Sequence, residues 1–137
     1  GGLSMAFLIV ESGLASKISE SMIFLKDLKI ILLIFLLTLF TSIITEFTSN
    51  TATTFLLLPI FAAFAIDLNI NIIIILLPIV LAASCAFMMP ISTPPNAIVY
   101  SANKFHMKFM LKIGIVMNLI SVVIITMYMK LFGQLTF

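Results

Sequence analysis

The sequence predicts an all-α integral membrane fold, built from apolar helices that are interrupted in two places. Three observations carry that expectation. The chain has 137 residues, 63% hydrophobic and 9% charged, with a mean hydropathy of +1.34. A soluble domain of this size cannot hide so much apolar surface. The apolar residues form continuous runs rather than alternating, which selects helices over a membrane barrel. Two polar or proline-rich stretches with almost no charge break those runs.

Residues 2–10 are apolar and then meet Glu11, Ser12 and Gly13. The chain opens on Gly1-Gly2-Leu3-Ser4, without Met or a basic leader, so it reads as the interior of a longer protein cut inside a helix. In residues 14–27 the apolar Leu14, Ile18, Met22 and Leu25 recur at three- and four-residue steps among Lys17, Ser19, Glu20 and Lys26. That pattern is an amphipathic helix, too polar to span and suited to lie in the membrane interface.

Residues 28–48 lack Gly and Pro and reach about 30 Å as a helix. They lead into the first interruption, Thr45-Glu46-Phe47-Thr48-Ser49-Asn50-Thr51-Ala52-Thr53-Thr54, which holds seven neutral hydrogen-bonding side chains and one charge. It lies between apolar arms at 30–44 and 55–66 and has none of the Gly, Pro, Lys or Asp of an ordinary loop. One reading is a Thr-rich turn between two spanning helices. The other is the tip of a re-entrant helical hairpin, 28–66, lining a solute site, because irregular backbone at membrane depth needs protein or a water-filled cavity around it.

Such a tip suits ions. With the first arm helical to Thr48, its unpaired carbonyls point toward Asn50 and favour a cation. Thr45 and Ser49, four residues apart, then share a face. With Ser49 or Asn50 capping the second arm, unpaired amides near Thr51–Thr53 favour an anion. Transporters with broken helices hold substrate and coupling ion in this way.

Asp67-Leu68-Asn69 forms a short polar turn, and residues 71–89 form an apolar span containing Pro78. The second interruption is Met89-Pro90-Ile91-Ser92-Thr93-Pro94-Pro95-Asn96. Pro94 and Pro95 cannot continue an arriving helix but suit the first turn of a new one, capped by Ser92 or Thr93 and running to about residue 102. Because Ala97-Ile98-Val99-Tyr100 is again apolar, a discontinuous helix over 70–103 is favoured over a membrane-exit turn. Lys104, His106, Lys108 and Lys112 form a basic edge, and a last span covers 107–132, closed by Lys130 and Gly133. His106 reads as a surface residue and the single Cys85 as a small buried hydrophobe. Asn118 reads as an interhelical hydrogen-bonding residue.

Glu46 is the only acid inside an apolar stretch, hence a functional suspect. The preferred reading is structural, hydrogen-bonded near the tip. No metal cluster, nucleophile–base pair or phosphate loop stands out, so an enzyme is not expected. A channel is disfavoured for want of a charge ring or filter-like glycines. The net charge of +2 gives no reason to expect nucleic acid.

Taken together, the two interruptions resemble the divalent anion–sodium symporter family. Ser49-Asn50-Thr51 resembles its Ser-Asn-Thr motif. Ser84-Cys85-Ala86-Phe87-Met88-Met89-Pro90-Ile91-Ser92-Thr93-Pro94-Pro95-Asn96-Ala97-Ile98-Val99 resembles its signature near the C-terminus. The resemblance implies the second half of an inverted-repeat, elevator-type transporter that forms homodimers and sits as a multi-pass protein in the plasma or inner membrane. Residues 1–27 would end a scaffold helix and form an interfacial arm. Residues 28–137 would belong to the transport domain, with Lys104, Lys108 and Lys112 inside and Lys17, Lys26 and Lys29 outside. Family members carry succinate, malate, fumarate, citrate or sulfate, usually with Na+, and no other cofactor is implied. On that pattern Asn50, Thr51, Thr93 and Pro94 face the substrate, and Thr45, Ser49, Asn50 and the backbone near Ser92 hold Na+. The matching half-site would lie on the first repeat.

The leading expectation is Na+-coupled transport of a small dianion, a C4-dicarboxylate first. The alternatives are a sodium-independent anion exchanger and a non-transporting helical subunit whose Ser and Thr merely pack helices.

Overall fold

The structure, a computed structural model, describes residues 1–102 and 106–136, the last three by backbone alone. Among them seven α-helices follow one another: α1 Gly2–Glu11, α2 Leu14–Ser21, α3 Ile30–Ile44, α4 Asn50–Asp67, α5 Ile72–Ala83, α6 Pro94–Ser101 and α7 Met107–Thr136. A 3-10 turn, Ile23–Asp27, joins α2 to α3, and no strand occurs among the described residues. Asn103 and Lys104, parts of the expected broken helix and basic edge, lie outside them.

Gly13, at φ 69°, turns the chain between α1 and α2, a conformation that costs glycine little. The amphipathic stretch is two pieces rather than one helix. The Met22 amide is shared between Ile18 O and Ser19 O, and the winding tightens there. Ser19 is buried on the inner face of α2 and donates a hydrogen bond to Asp67 at the end of α4. Asn69, at φ 54°, ends α4. Its amide bonds Ile66 O and that of Ile70 bonds Ala65 O, the paired closure of a Schellman turn. Asn71 then caps α5, accepting from the Ile73 amide. The polar turn read at 67–69 is therefore a tight α4–α5 connection.

Both arriving helices end earlier than the helical extents assumed from the sequence. The first arm ends at Ile44, not Thr48, because the Glu46 and Phe47 amides bond carbonyls three residues back. Helix α5 ends at Ala83, not near Met89, because the amides of Phe87, Met88 and Met89 bond a side chain from α3's end. At the other end α7 passes Gly133 and continues to Thr136. His106 is exposed, as expected.

The core forms where α3, α4 and α5 meet: Leu33 and Leu37, Leu57, Phe61, Phe64 and Ala65, and Ile75 and Ile79. Phe40 and Phe61 pack edge to face across the α3–α4 hairpin, 6.5 Å between centroids. Helix α7 runs antiparallel to α3. Met129 and Gly133 lie beside Ile34, and Asn118 meets Glu46 at the opposite end. Buried Thr38, Thr41 and Thr126 each donate to the carbonyl four residues back in their own helix. These hydroxyls are satisfied locally and present a nearly apolar surface at the seam.

The α4 and α7 stretches Asn50–Asp67 and Met107–Gly133 are long and apolar enough to cross a membrane; α1, α3 and α5 are apolar but shorter. The outward face of α7 carries Ile113, Val116, Ile120 and Ile124, all exposed. An exposed apolar face on so long an apolar helix belongs against lipid or further membrane-embedded protein.

Gly114 seats α7 against the second interruption. A Cβ there would fall 2.5 Å from Met88 Cα and 2.6 Å from Phe87 O, both backbone atoms that cannot swing aside. Gly114→Ala should therefore destabilise the protein by about 1–3 kcal/mol through overpacking. Thermal unfolding in detergent measures this, and an unchanged midpoint would show that the contact is looser than described.

Candidate functional site

The site grows from Glu46. Its residue exposure is 1%, so its carboxylate needs donors from protein. Oε1 accepts from the Phe87 amide at 2.7 Å, the Met88 amide at 2.9 Å and Asn118 Nδ2 at 2.7 Å. Oε2 accepts from the Met89 amide at 3.0 Å and Ser92 Oγ at 2.6 Å. Every partner is a donor, which is what an ionised, acceptor-only carboxylate requires. Three of those donors are main-chain amides, available because 84–93 is not helical. The structural reading of Glu46 and the interhelical reading of Asn118 both hold in this geometry.

The two interruptions therefore meet. Thr45 Oγ1 lies 2.7 Å from Ala83 O, the last carbonyl of α5, and 2.9 Å from Asn50 Oδ1, the first residue of α4. One hydroxyl proton cannot serve both oxygens. Turning the Asn50 amide makes Nδ2 the donor to Thr45 and frees Oδ1. Thr45 is fully buried whereas Ser49 is exposed. The two hydroxyls do not share a helical face, because the chain leaves the α3 helix between them.

Ser49 caps α4, its Oγ accepting from the Ala52 amide at 3.1 Å. Thr51 is exposed in the first turn. Thr48 and Thr53 hydroxyls bond each other across the same turn. In the second interruption Thr93 is the N-cap and Pro94 the first residue of α6. The bond from the Asn96 amide to Thr93 Oγ1 is long, at 3.5 Å. Asn96 Nδ2 reaches back to Ala86 O at 3.0 Å and to Met89 O at 3.1 Å, the latter also accepting from the Ser92 amide at 3.2 Å. Ser92 Oγ, besides Oε2, lies 3.0 Å from the Glu46 main-chain oxygen.

A cavity of about 620 Å³ opens beside α6, lined by Thr93 and Pro94 together with Met89, Ile91, Ala97 and Tyr100. Of the four residues expected at the anion, Thr93 and Pro94 line it, while Asn50 and Thr51 do not. Of the residues expected at the cation, Thr45 and Asn50 touch, and Ser92 is held one residue away by Glu46. Among the described residues no three His, Cys, Asp or Glu side chains cluster as metal ligands.

Sequence reasoning missed Gly114 and the clamp made by Asn96. Gly114 and Asn118 stand four residues apart in a largely apolar span. That spacing puts a small and a polar residue on one face and was the available signal.

Interrupted helices joined at a buried carboxylate, in a chain of membrane-grade segments, make this an integral membrane protein of the broken-helix type. The chain belongs to the sodium:sulfate symporter family, whose transmembrane region matches residues 1–137. It is 39% identical over 127 residues to the sodium-dependent dicarboxylate transporter SdcS of Staphylococcus saprophyticus, covering 93% of this chain and 24% of that protein. It is 40% identical over 125 residues to the SdcS of Staphylococcus aureus, covering 91% of this chain and 24% of that protein. The chain thus spans about a quarter of the length of these relatives.

Removing the Glu46 carboxylate should be felt at once. Glu46→Gln replaces one acceptor oxygen by an amide that faces backbone donors, and should cost about 1.5–3 kcal/mol, the worth of a hydrogen bond to a charged group. Thermal unfolding of the full-length protein in detergent reads the loss. A wild-type midpoint would show that the amides of 87–89 find other acceptors.

Proposed function

We propose that the full-length protein containing this segment carries a small dianion, a C4-dicarboxylate first, across the plasma or inner membrane, coupled to Na+ symport. One observation carries the reading: the end of α3, the start of α4 and the start of α6 converge through Thr45–Asn50 and Glu46–Ser92. Two helix starts favour an anion and one helix end favours a cation at the same place. Family membership supports it, as do relatives named as sodium-dependent dicarboxylate transporters.

In this reading Asn50 and Thr51 on α4, with Thr93 and Pro94 on α6, face one carboxylate of the substrate. Thr45, Ser49, Asn50 and the backbone at Ser92 supply hard oxygen ligands to Na+, and the Asn50 Oδ1 released by an amide turn is one of them. A matching half-site on another part of the full-length protein completes the substrate pocket. The α3–α4 hairpin is re-entrant, its tip at membrane depth. Residues 28–137 move as part of a transport domain against a scaffold that includes 1–27, in an elevator-type homodimer.

Uptake of labelled succinate and sulfate by the full-length protein, with and without Na+, tests the reading. Sodium-independent uptake would make it an exchanger, and no uptake of either anion would remove the transport assignment. Asn50→Ala and Thr93→Ala should each weaken succinate affinity by about 1–3 kcal/mol, as for a lost hydrogen bond to a charged group. Unchanged affinity in both variants would contradict the anion site.

Cation and dianion should strengthen each other's binding reciprocally. Ser49→Ala should therefore raise the Na+ concentration for half-maximal uptake, with succinate affinity recovering at high Na+. The loss in Thr93→Ala should persist at saturating Na+. Identical Na+ dependence in wild type and Ser49→Ala would misplace the cation.

A further inference from the structure

We propose that Asn118, in the middle of α7, is a positioning residue for the anion site at the start of α6, acting through Glu46. The inference rests on the transport reading above and adds a residue that touches neither ion.

Asn118 is 5% exposed. Its Nδ2 donates to Glu46 Oε1, and its Oδ1 has no hydrogen-bond partner. Turning the amide over would set Oδ1 against a carboxylate oxygen, so the orientation is fixed by the bond it makes. A buried acceptor without a partner is a cost to folding. A leucine of similar size would remove that cost but would also withdraw one donor from the buried Glu46 carboxylate, a loss that destabilises when only one partner of a buried pair is replaced.

Even so, Glu46 does not need this donor to be satisfied. Without Asn118, Oε1 still accepts from the Phe87 and Met88 amides, and Oε2 from Met89 and Ser92. Satisfying Glu46 therefore does not by itself account for an asparagine here.

Position does. The carboxylate that Asn118 grips is the one that holds 87–89 and Ser92. Ser92 is followed by Thr93, the cap of α6, and Pro94, its first residue. One turn earlier on α7, Gly114 lies directly on the Phe87–Met88 backbone. Helix α7 therefore grips the interruption from behind at two points four residues apart, one a backbone contact and one a hydrogen bond. The grip fixes where α6 begins relative to Thr45 and Asn50. A residue kept at a cost to local satisfaction, on the path to a binding site, is where function overrides stability.

The test is Asn118→Leu in the full-length protein, with three readouts. The thermal midpoint in detergent should fall less than in Glu46→Gln, because four donors remain on the carboxylate. Amide hydrogen exchange in the peptide covering 84–92 should accelerate. The KM for labelled succinate at saturating Na+ should rise about 5–30-fold, the factor that 1–2 kcal/mol represents. A midpoint as low as that of Glu46→Gln, or a variant that does not fold, overturns the proposal, because Asn118 would then be chiefly structural. A stable variant with wild-type exchange and wild-type KM overturns it as well. Should the wild-type protein take up no succinate, the transport reading fails, while exchange in 84–92 still decides whether Asn118 sets the interruption.

Discussion

The architecture depends on one constraint: a carboxylate buried in an apolar protein must be surrounded by donors. Side chains supply two of the donors to Glu46, and the main chain supplies three. Main-chain amides are free for this only where a helix has come undone. The interruption after α5 and the turn after α3 are therefore one feature seen from two sides. Helix α5 stops at Ala83 because the amides that would extend it point at Glu46. Glu46 tolerates burial because α5 stops.

The carbonyls released by the same unwinding have their own solution. Asn96 folds back from the first turn of α6 to cover Ala86 O and Met89 O. Thr45 covers Ala83 O. Thr93 begins α6 and Ser49 begins α4, each as an N-cap. The segment between α5 and α6 is thus irregular in path but well satisfied in hydrogen bonds, as backbone away from water has to be. Two helix starts and one helix end are held close by this arrangement, so partial charges of both signs face one another there.

Much of this was legible in the residues themselves. The polar island at 45–54 and the prolines at 94–95 marked the interruptions, and capping preferences narrowed the caps to Ser49 or Asn50 and to Ser92 or Thr93. The lone acid inside an apolar run identified Glu46, and the lone amide in the last span identified Asn118. The helix ends were misjudged by four or more residues for a physical reason. What ends α5 is a bond from its amides to a distant side chain, and amides are common to every residue, so no side-chain pattern records it. The expected shared face of Thr45 and Ser49 failed for the same reason, since it assumed helix where the chain had already turned. Gly114 carried a signal in its spacing from Asn118, but an isolated glycine in a membrane helix is common enough to pass unnoticed.

The threonines along the α3–α7 seam have a mechanical consequence. Thr38, Thr41 and Thr126 turn their hydroxyls back into their own helices, so none of the three needs a hydrogen bond to a neighbouring helix. The bond between Asn118 and Glu46 joins them at one end. A contact that is smooth along its run and pinned at one end behaves as a slip plane with a pivot. A tilt of α7 breaks no hydrogen bond at those threonines, and its leverage falls on the carboxylate at the pivot. Bilayer thickness and lateral pressure act on a long apolar helix such as α7. A tilt of α7 in response would load the Asn118–Glu46 bond.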